Sequence, residues 1–425
     1  MKLWDKGFEI DRIIEDFTVG RDREFDLVLA RYDVLASVAH AQMLCEINMI
    51  SQDENAALHQ ELKLIQNSID EGSFKIEDDV EDVHSQIEKI LVHKLGTVGK
   101  KIHLGRSRND QVLVALRLYF RDRLEQIKNK VATLSLTLIE SAEKYKEVLI
   151  PGYTHMQIGM VSSCGLWFSA FAEALIDDAE YINRTVGVIN RNPLGTAAGY
   201  GSSLPLDREM TTEELGFDGI CVNPINAQIG RGKTELLVAH VISSMSLTIN
   251  KLAMDICLFS NENYGILSLP KAFTTGSSIM PHKKNPDVFE LIRAKCNLLM
   301  SLPNQVTSII SNLTSGYHRD FQLQKEIIFP GLDEIDRIID LLIYCIPSLT
   351  IHPTQVYSEK YKYLWSVELV NQYVLEGMSF RDAYRKVGLA IENDNYHPPQ
   401  SIQHTHLGSI GNLGLNLMRE RLKTL

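Results

Sequence analysis

The chain has 425 residues and a mass of 48.0 kDa, more than a single hydrophobic core usually serves, so two or three domains are expected. Its net charge of −11 argues against a general nucleic-acid-binding surface, because such surfaces are basic. A hydrophobic content of 44% and a charged content of 23% are typical of a globular protein rather than a disordered one.

The ends of the chain and its cysteines indicate a cytoplasmic protein. Lys2, Asp5 and Lys6 interrupt the amino-terminal segment, so it lacks the apolar stretch of a signal peptide. We find no uncharged apolar run long enough to cross a bilayer. The six cysteines are scattered without CxxC pairs, which favours reduced thiols. His404 and His406 form only a lone HxH, and no metal-spaced cluster is present.

Three helical patterns are predicted within the first hundred residues. The first follows the polar turn GRDREFD and runs to Leu44. In the other two, apolar residues recur three or four positions apart, as on one buried helix face. These are Leu58, Leu62 and Ile65 in one helix, and Val80, Val83, Ile87 and Leu91 in the next. His84 lies among acidic residues on the last helix and is interpreted as a structural, hydrogen-bonded group.

Five stretches without glycine or proline predict long helices. The first, 106–150, would extend about 68 Å if it were one continuous helix. The other four are 166–186, 233–264, 287–302 and 332–346. Strand-like alternation is scarce between them, so an all-α bundle of five long helices is predicted. Their apolar faces are too long for one small domain to cover, which indicates oligomerisation.

The segments outside these helices are of two kinds. Residues 192–209 form a long polar, glycine-rich connection, and such loops are usually functional. From about Ile351 the pattern changes to shorter elements. Residues 367–387 predict two helices around Gly377, for which an αα-hairpin is favoured over a DNA-binding helix-turn-helix in so acidic a chain.

Four polar clusters lie at the ends of the predicted long helices. They are HLGRSRNDQ (103–111), PGYTHMQ (151–157), GSSIMPHKKNPD (276–287) and SGYHRDFQLQKE (315–326). The first opens the longest helix, whose terminal N–H groups together with Arg106 and Arg108 can hold an anion. Each cluster alone is compatible with a purely structural role. Together they favour an enzyme.

The inventory of these clusters suits proton abstraction next to a carboxylate. A mobile loop supplies serines, a second cluster supplies Thr154 and His155 side by side, and no nicotinamide fingerprint or P-loop is present. Negative charge would develop on the carboxylate oxygens of the substrate. Lys283 and Asn285 would stabilise that charge electrostatically, which is usually the largest catalytic contribution.

The chain resembles a known family over nearly its whole length. GSSIMPHKKNPD resembles the specific signature loop GSSxMPxKxNP of the fumarase/aspartase superfamily. The other three clusters and NPDVFELIR are similar in particular to the argininosuccinate lyases. The resemblance implies a three-domain, mainly helical protomer in a homotetramer, with each active site shared between three subunits. It also implies reversible cleavage of argininosuccinate to arginine and fumarate, without a cofactor.

The resemblance also implies individual roles. Ser277 would be the base toward the succinyl Cβ proton, and His155, hydrogen-bonded to Glu290, would act at the leaving nitrogen; the opposite division of the two roles stays open. Lys283 and Asn285 would hold the aci-carboxylate intermediate. The substrate contacts would be Ser107, Arg108, Asn109 and Thr154, with Tyr317, Gln322 and Lys325 on the arginine portion.

Some residues depart from the pattern of the family. A substrate-binding serine near the amino terminus appears here as Gly20, Leu104 replaces Thr or Ser, and IGMV (158–161) replaces RAQP. His282 replaces a glutamine and gives the MPHK of adenylosuccinate lyases, which makes that activity the alternative. A second alternative is a non-catalytic, crystallin-like relative.

The domain boundaries expected for such a protomer follow the changes in pattern. An amino-terminal helical domain would cover 1–105, the central bundle 106–350, and a small carboxy-terminal helical domain 351–425. The catalytic loop would be 274–287. The protein would be a cytoplasmic enzyme acting on a small molecule, with no metal, nucleic-acid or membrane partner.

Overall fold

The computed structural model describes residues 11–354, 356–399, 401–402 and 404–425, and these are mainly helical, as predicted. The helices are α1 Arg12–Val19, α2 Asp22–Glu46, α3 Gln52–Asp70, α4 Val83–Leu95, α5 Thr97–Lys100, α6 Arg108–Lys144, α7 Cys164–Ile189, α8 Arg208–Glu214, α9 Pro224–Phe259, α10 Asp287–Leu299, α11 Leu302–Ile310, α12 Leu323–Cys345, α13 Ser366–Leu375, α14 Phe380–Glu392 and α15 Leu415–Lys423. Residues 1–10, on which the expectation about a signal peptide mainly rests, lie outside the described residues.

Four strands form two antiparallel pairs. The strands are β1 Leu149–Thr154, β2 Gln157–Ser163, β3 Leu267–Ser268 and β4 Thr350–Ile351. β1 pairs with β2, and β3 with β4. The first pair corrects the prediction of one helix over 106–150, because α6 ends at Lys144 and Ile150 pairs with Ser162. Pro151 accounts for the extended conformation of Ile150, since a proline disfavours the helical conformation of the residue before it.

The other long helices are present with shifted ends. α9 begins at Pro224, ahead of the predicted start at 233, and runs through a break at Arg231 and Gly232. α12 begins at Leu323 and contains Pro330, which the sequence pattern treats as a boundary. The chain resumes helical geometry after Gly232, and α12 continues through Pro330, so neither residue ends its helix.

α9 is long and apolar enough to cross a membrane by length and composition only. Core helices of soluble proteins have the same composition, and Val238, Ile242, Met245 and Ile249 of this helix are fully buried. The apolar character of α9 is therefore explained by packing against protein.

The described residues divide into two compact units, each assembled from separate parts of the chain. Unit 1 contains residues up to 128 together with 181–244 and 298–335. Unit 2 contains 129–180, 245–297 and 336–425. The three domains expected above stay a prediction.

The core of unit 1 packs α2, α3 and α4 together. Leu44, Leu58, Leu62 and Leu91 are fully buried in it. The predicted spacing of Leu58, Leu62 and Ile65 is confirmed as the buried face of α3. This helix begins with a capping box, in which the Ser51 hydroxyl accepts from the Glu54 N–H and the Glu54 carboxylate accepts from the Ser51 N–H.

The core of unit 2 is built around Trp167 of α7. Its indole lies 4.5 Å from the ring of Phe168 and 5.2 Å from that of Phe259, measured between centroids. The indole N–H donates to Asp255 at 3.0 Å, so the buried polar atom of the ring is satisfied. Farther along the chain, α13 and α14 pack against each other as the predicted αα-hairpin.

Two leucines of α3 provide a matched test of this packing. Leu62 is fully buried, whereas the side chain of Leu64 is 53% exposed. Leu62→Ala should lower the free energy of unfolding by about 2–5 kcal/mol because it leaves a cavity. Leu64→Ala should change it by less than about 0.5 kcal/mol. Urea unfolding followed by circular dichroism measures both, and equal losses would contradict the described core.

Candidate functional site

The start of α6 is held by its own side chains. The Ser107 hydroxyl accepts from the Asn109 N–H at 3.3 Å, and the Asp110 carboxylate accepts from the Ser107 N–H at 2.8 Å. These contacts satisfy N–H groups that have no partner within the helix. The first polar cluster therefore begins a helix, as predicted, and its backbone is fixed there.

Asp110 also fixes the long loop between α7 and α8. Its second carboxylate oxygen accepts from the N–H groups of Gly195 and Ala197 at 3.0 and 2.9 Å. The side chain is fully buried, and this burial raises the pKa of Asp110 to about 6 against the opposing effect of its hydrogen bonds. One carboxylate thus joins the helix start to the glycine-rich loop predicted to be functional.

A polar pocket of about 390 Å³ lies in unit 1. It is lined by Asp22, Asp26, Glu81, Asp82, His84, His103, Arg106, Ser107, Arg108, Asn109, Val112, Arg231, Tyr317, Arg319, Gln322 and Lys325. The structure therefore brings together six of the residues expected to bind substrate, three from each of two sequence clusters. The pocket also contains five cationic side chains (arginine and lysine) and four carboxylates, so it can bind groups of both signs.

Lys325 lies at the buried end of this charge arrangement. Its ammonium group donates to Asp26 at 2.5 Å and forms an ion pair with Asp22. Burial lowers the pKa of Lys325, but the carboxylates of Asp26 and Asp22 outweigh burial and raise it overall. Burial and repulsion from Asp26 raise the pKa of Asp22 to about 6. Two carboxylates thus share one cation.

Arg108 is the second cation held by acidic neighbours. Its guanidinium donates to Glu81 at 3.0 Å and to Asp82. Burial lowers the pKa of Arg108, but Asp82 and Glu81 raise it overall. Asp82 is also the N-cap of α4, where it accepts from the Ser85 N–H at 2.8 Å. The start of α4 and the start of α6 are therefore connected through one carboxylate.

His84 is buried beside the pocket and hydrogen-bonded, in agreement with its structural interpretation. Its Nδ1 lies 2.8 Å from Asp33 Oδ1. Burial lowers the pKa of His84, but Asp33 outweighs burial and raises it overall. Because the ring also lines the pocket, its charge contributes to the field there.

The fourth predicted cluster, 315–326, contributes two further groups. The Gln322 amide donates to the carbonyl oxygens of Val19 and Thr18 at 2.9 and 3.2 Å, at the end of α1. Tyr317 is 40% exposed, and the guanidinium of Arg231 lies 4.8 Å from its ring centroid. Gln322 is therefore fixed by backbone, whereas Tyr317 remains accessible.

The other expected site residues belong to unit 2, and the first two lie on the β1–β2 hairpin. Thr154 pairs with Gln157 across a two-residue turn formed by His155 and Met156. Both turn residues have positive φ, 53° and 60°, in the left-handed region where asparagine and glycine are preferred. Pro151 and Gly152 lie within β1 and do not form the turn of this hairpin. A strained turn exposes the His155 side chain instead.

The predicted catalytic loop is tied together at its base. Asn285 and Thr275 exchange two backbone hydrogen bonds, Asn285 N–H to Thr275 O at 2.9 Å and the reverse at 3.3 Å. Within the loop, the half-buried Ser277 hydroxyl accepts from the N–H groups of Ile279 and Met280. Hydrogen bonds donated to an oxygen favour its ionised form. Lys283 is exposed on the same loop.

The expected His155–Glu290 hydrogen bond is not formed within the described part of this single chain. Both side chains are exposed. Among the same described residues, no three His, Cys, Asp or Glu side chains are grouped as a metal site would require.

The comparisons with known proteins agree with this arrangement. A family model described as lyase matches residues 7–300. The argininosuccinate lyase of Bacteroides fragilis is 52% identical over 412 residues, which cover 97% of this chain and 92% of that protein. That of Thermotoga neapolitana is 40% identical over 386 residues, 91% of this chain and 97% of that protein. The chain belongs to the argininosuccinate lyase family.

The likeness extends to solved structures at lower sequence identity. A class II fumarase from Schistosoma mansoni superposes with a TM-score of 0.73 at 16% identity, covering 97% of this chain and 91% of that chain. This likeness shows the fold alone. The fumarase/aspartase-like fold that the sequence predicted is therefore confirmed.

In this member of the argininosuccinate lyase family, the acidic half of the polar pocket, formed by Asp22, Asp26, Glu81 and Asp82, was not predicted from the sequence. Gly20 ends α1 and does not line the pocket, whereas Asp22 does. Asp22 and Asp26 lie four residues apart on α2, so they share a helix face. The same face contains the buried residues Phe25 and Leu29. Acidic residues at helical spacing on a buried face are the sequence signal that could have identified Asp22 and Asp26.

The raised pKa of Asp22 gives a test of this charge arrangement. The folded protein binds a proton at Asp22 up to pH about 6, whereas the unfolded chain loses it near pH 3.9. Stability of the native protein should therefore fall as pH rises through this window, by up to about 2–3 kcal/mol. Asp22→Asn lacks this slope. Between pH 4 and 7, the free energy of unfolding of Asp22→Asn should rise by about 2–3 kcal/mol relative to that of the native protein.

Exposed Asp53 of α3 is the control for that measurement. Asp53→Asn should follow the native profile throughout. Urea unfolding at several pH values measures all three proteins. Parallel profiles for Asp22→Asn and the native protein would show that Asp22 does not titrate in this window.

Proposed function

We propose that this protein catalyses the reversible β-elimination of argininosuccinate to arginine and fumarate, the reaction that closes arginine biosynthesis. The observation that carries the proposal is the polar pocket. It gathers Ser107, Arg108, Asn109, Tyr317, Gln322 and Lys325 in one cavity. The curated relatives at 52% and 40% identity carry the name of this activity.

The charges of the pocket match those of the proposed substrate. Argininosuccinate carries three carboxylates together with a guanidinium and an ammonium group, so it needs partners of both signs. We place its arginine portion at Tyr317, Gln322 and Lys325, with the carboxylates of Asp22 and Asp26 available to the cationic groups. The succinyl carboxylates are assigned to Ser107, Arg108, Asn109 and Thr154, since a helix start with an arginine favours anions.

The proposed chemistry needs one base, one acid and an anion site. Ser277 removes the proton from the succinyl carbon next to the carboxylate, and negative charge moves onto the carboxylate oxygens. Lys283 and Asn285 stabilise this aci-carboxylate. The C–N bond then breaks, and the leaving nitrogen takes a proton from His155, whose partner is Glu290. The steps transfer two protons and break one C–N bond without net oxidation or reduction, so we propose no cofactor.

We also propose that the active enzyme is a homotetramer with shared sites. Exposed His155 and Glu290 are not bonded to each other in the described part of the chain, so the pair would form between subunits. Exposed apolar side chains on the long helices support association. Leu247 and Met254 lie two turns apart on α9 and are 50% and 41% exposed, and Tyr344 on α12 is 66% exposed.

A cytoplasmic location is part of the same proposal. None of the six cysteines forms a disulfide, and four of them are buried. Free thiols persist in reducing compartments.

His282 favours one alternative substrate, adenylosuccinate. Against it stands the mixed charge of the pocket, since adenylosuccinate carries a phosphate and carboxylates but no cation for Asp22, Asp26, Glu81 and Asp82. Both substrates release fumarate, so one absorbance assay compares them. Release from adenylosuccinate alone would replace the proposed activity with that of the alternative.

Two neighbouring serines test the catalytic assignment. Ser277→Ala should lower kcat with argininosuccinate by at least about a thousandfold, because it removes the proposed base. Ser278→Ala changes the adjacent, exposed serine and should retain activity within a few-fold. Fumarate release measures both, and circular dichroism checks the fold. Near-native turnover by Ser277→Ala would show that Ser277 is not the catalytic base.

Hybrid oligomers test the sharing of sites. Light scattering should give a mass about four times that of the 48.0 kDa chain. His155→Asn and Ser277→Ala are each expected to be inactive alone. When the two are co-expressed, some sites should receive both native side chains and recover activity. Failure to recover activity in proven hybrids would place both groups of each site on one chain.

A further inference from the structure

A second cavity of unit 1 has a composition suited to an anion. It has a volume of about 330 Å³, and we call it the basic cavity. It is lined by Gln228, Ile229, Arg231, Lys233, Ile310, Leu313, Thr314, Ser315 and Phe321. Two of these residues are cations, three carry neutral hydrogen-bonding groups, and the lining residues include no carboxylate.

Two buried side chains of this lining have polar atoms without a hydrogen-bond partner among the described residues. Gln228 is 2% exposed, and neither its amide nitrogen nor its amide oxygen has a hydrogen-bond partner among the described residues. Arg231 is 5% exposed, and its Nε and one terminal nitrogen have no partner there either. A buried polar group left without a hydrogen bond destabilises the fold. Two such groups in one cavity indicate that a polar ligand completes them.

Positive charge exceeds negative charge around the basic cavity. Arg231 and Arg117 both interact electrostatically with a single buried carboxylate, that of Glu235. Glu235 also accepts from the Gly232 N–H at 2.6 Å, so part of its capacity is used by backbone. Lys233 adds an exposed cation at the cavity. The carboxylate of Glu235 therefore does not neutralise all three cations.

The backbone at this point is shaped by a glycine that no other residue can replace without rearrangement. Gly232 has φ 84°, and a Cβ built there would lie 2.6 Å from Ile310 Cγ2. The conformation breaks α9 between Arg231 and Lys233. In a continuous helix, the N–H groups after Gly232 would donate to carbonyl oxygens of the preceding turn. The break instead creates a new helix amino terminus beside Arg231 and Lys233.

We propose that the basic cavity is a second ligand site, one that binds a small oxyanion, either a carboxylate or a phosphate. Arg231 and Lys233 supply the charge, the Gln228 amide donates one hydrogen bond, and the hydroxyls of Thr314 and Ser315 complete the shell. The site is separate from the proposed lyase chemistry and does not rest on it. Arg231 also lines the polar pocket, so an anion in the basic cavity changes the electrostatic field at the pocket.

Calorimetric titration of the full-length protein tests the proposal. Inorganic phosphate and succinate are the two probes, each titrated at constant ionic strength against sodium chloride. We expect one saturable site per chain for at least one probe, and the tighter probe identifies phosphate or carboxylate as the ligand class. Failure of both probes to saturate would overturn the proposal.

Variants separate this site from the polar pocket. Gln228 and Lys233 do not line the polar pocket. Gln228→Leu and Lys233→Gln should each weaken binding by at least about tenfold, the loss expected for one hydrogen bond to a charged group. Lys63→Gln, which alters an exposed lysine of α3, should leave binding unchanged. Native affinity in both cavity variants would place the anion elsewhere and refute the site.

The stability of Gln228→Leu gives a second readout. If the cavity receives no ligand, removing an unpartnered amide should leave stability unchanged or raised with or without phosphate. On the proposal, whichever of phosphate and succinate binds more tightly raises the unfolding midpoint of the native protein by more than that of the variant. Lys233 is exposed, so Lys233→Gln keeps the test decisive even if the leucine variant fails to fold.

Discussion

One helix face carries the polar groups on which unit 1 depends. Asp22, Asp26, Asp33, Ser37 and His40 recur along α2 at intervals of three, four or seven residues, and all but Asp22 are fully buried. Such a face would normally be apolar, and each group on it must be paired or it destabilises the fold. The partners come from three other parts of the chain. Lys325, His84 and Arg106 each bond to this face.

This requirement explains why the polar pocket exists without its substrate. Breaking any one of these pairs leaves a buried charge or dipole uncompensated, which costs several kcal/mol for a charge. The arrangement of α2, α4, α12 and the start of α6 is therefore set by charge pairing as well as by the apolar core. Asp82 shows the coupling most directly, because it caps α4 and pairs with Arg108 at the same time.

Sequence reasoning succeeded where the signal is contiguous. The long helices, the irregular loop after α7 and the loop around Ser277 each have a local pattern of periodicity, glycine or motif. It failed at the end of α6, where Leu149 and Ile150 continue an apolar pattern that suits a strand and a helix equally. The break in α9 was missed for the opposite reason. Gly232 was taken as an end, although the chain on both sides of it is helical.

The acidic half of the pocket illustrates a different limit. Asp22 and Asp26 could be placed on one face from their spacing, but only the packing of α12 shows that Lys325 lies against them. A contact across 299 positions of the chain has no local sequence signature. The pattern alone therefore predicts a buried acidic face and the need for a cation, without identifying which of the many lysines supplies it.

In the proposed reaction, the residues that bind the substrate and the residues that carry out the chemistry are held in place in different ways. The half-buried Arg108 and the buried Lys325 are both paired with carboxylates, so their positions are fixed before any ligand arrives. His155 and Lys283 are exposed, on a strained two-residue turn and on a loop closed only at its base by Thr275 and Asn285. A fixed pocket limits the reorganisation that binding requires. Groups on a turn and a loop can instead approach the substrate after it is bound, which keeps proton transfer dependent on the presence of substrate.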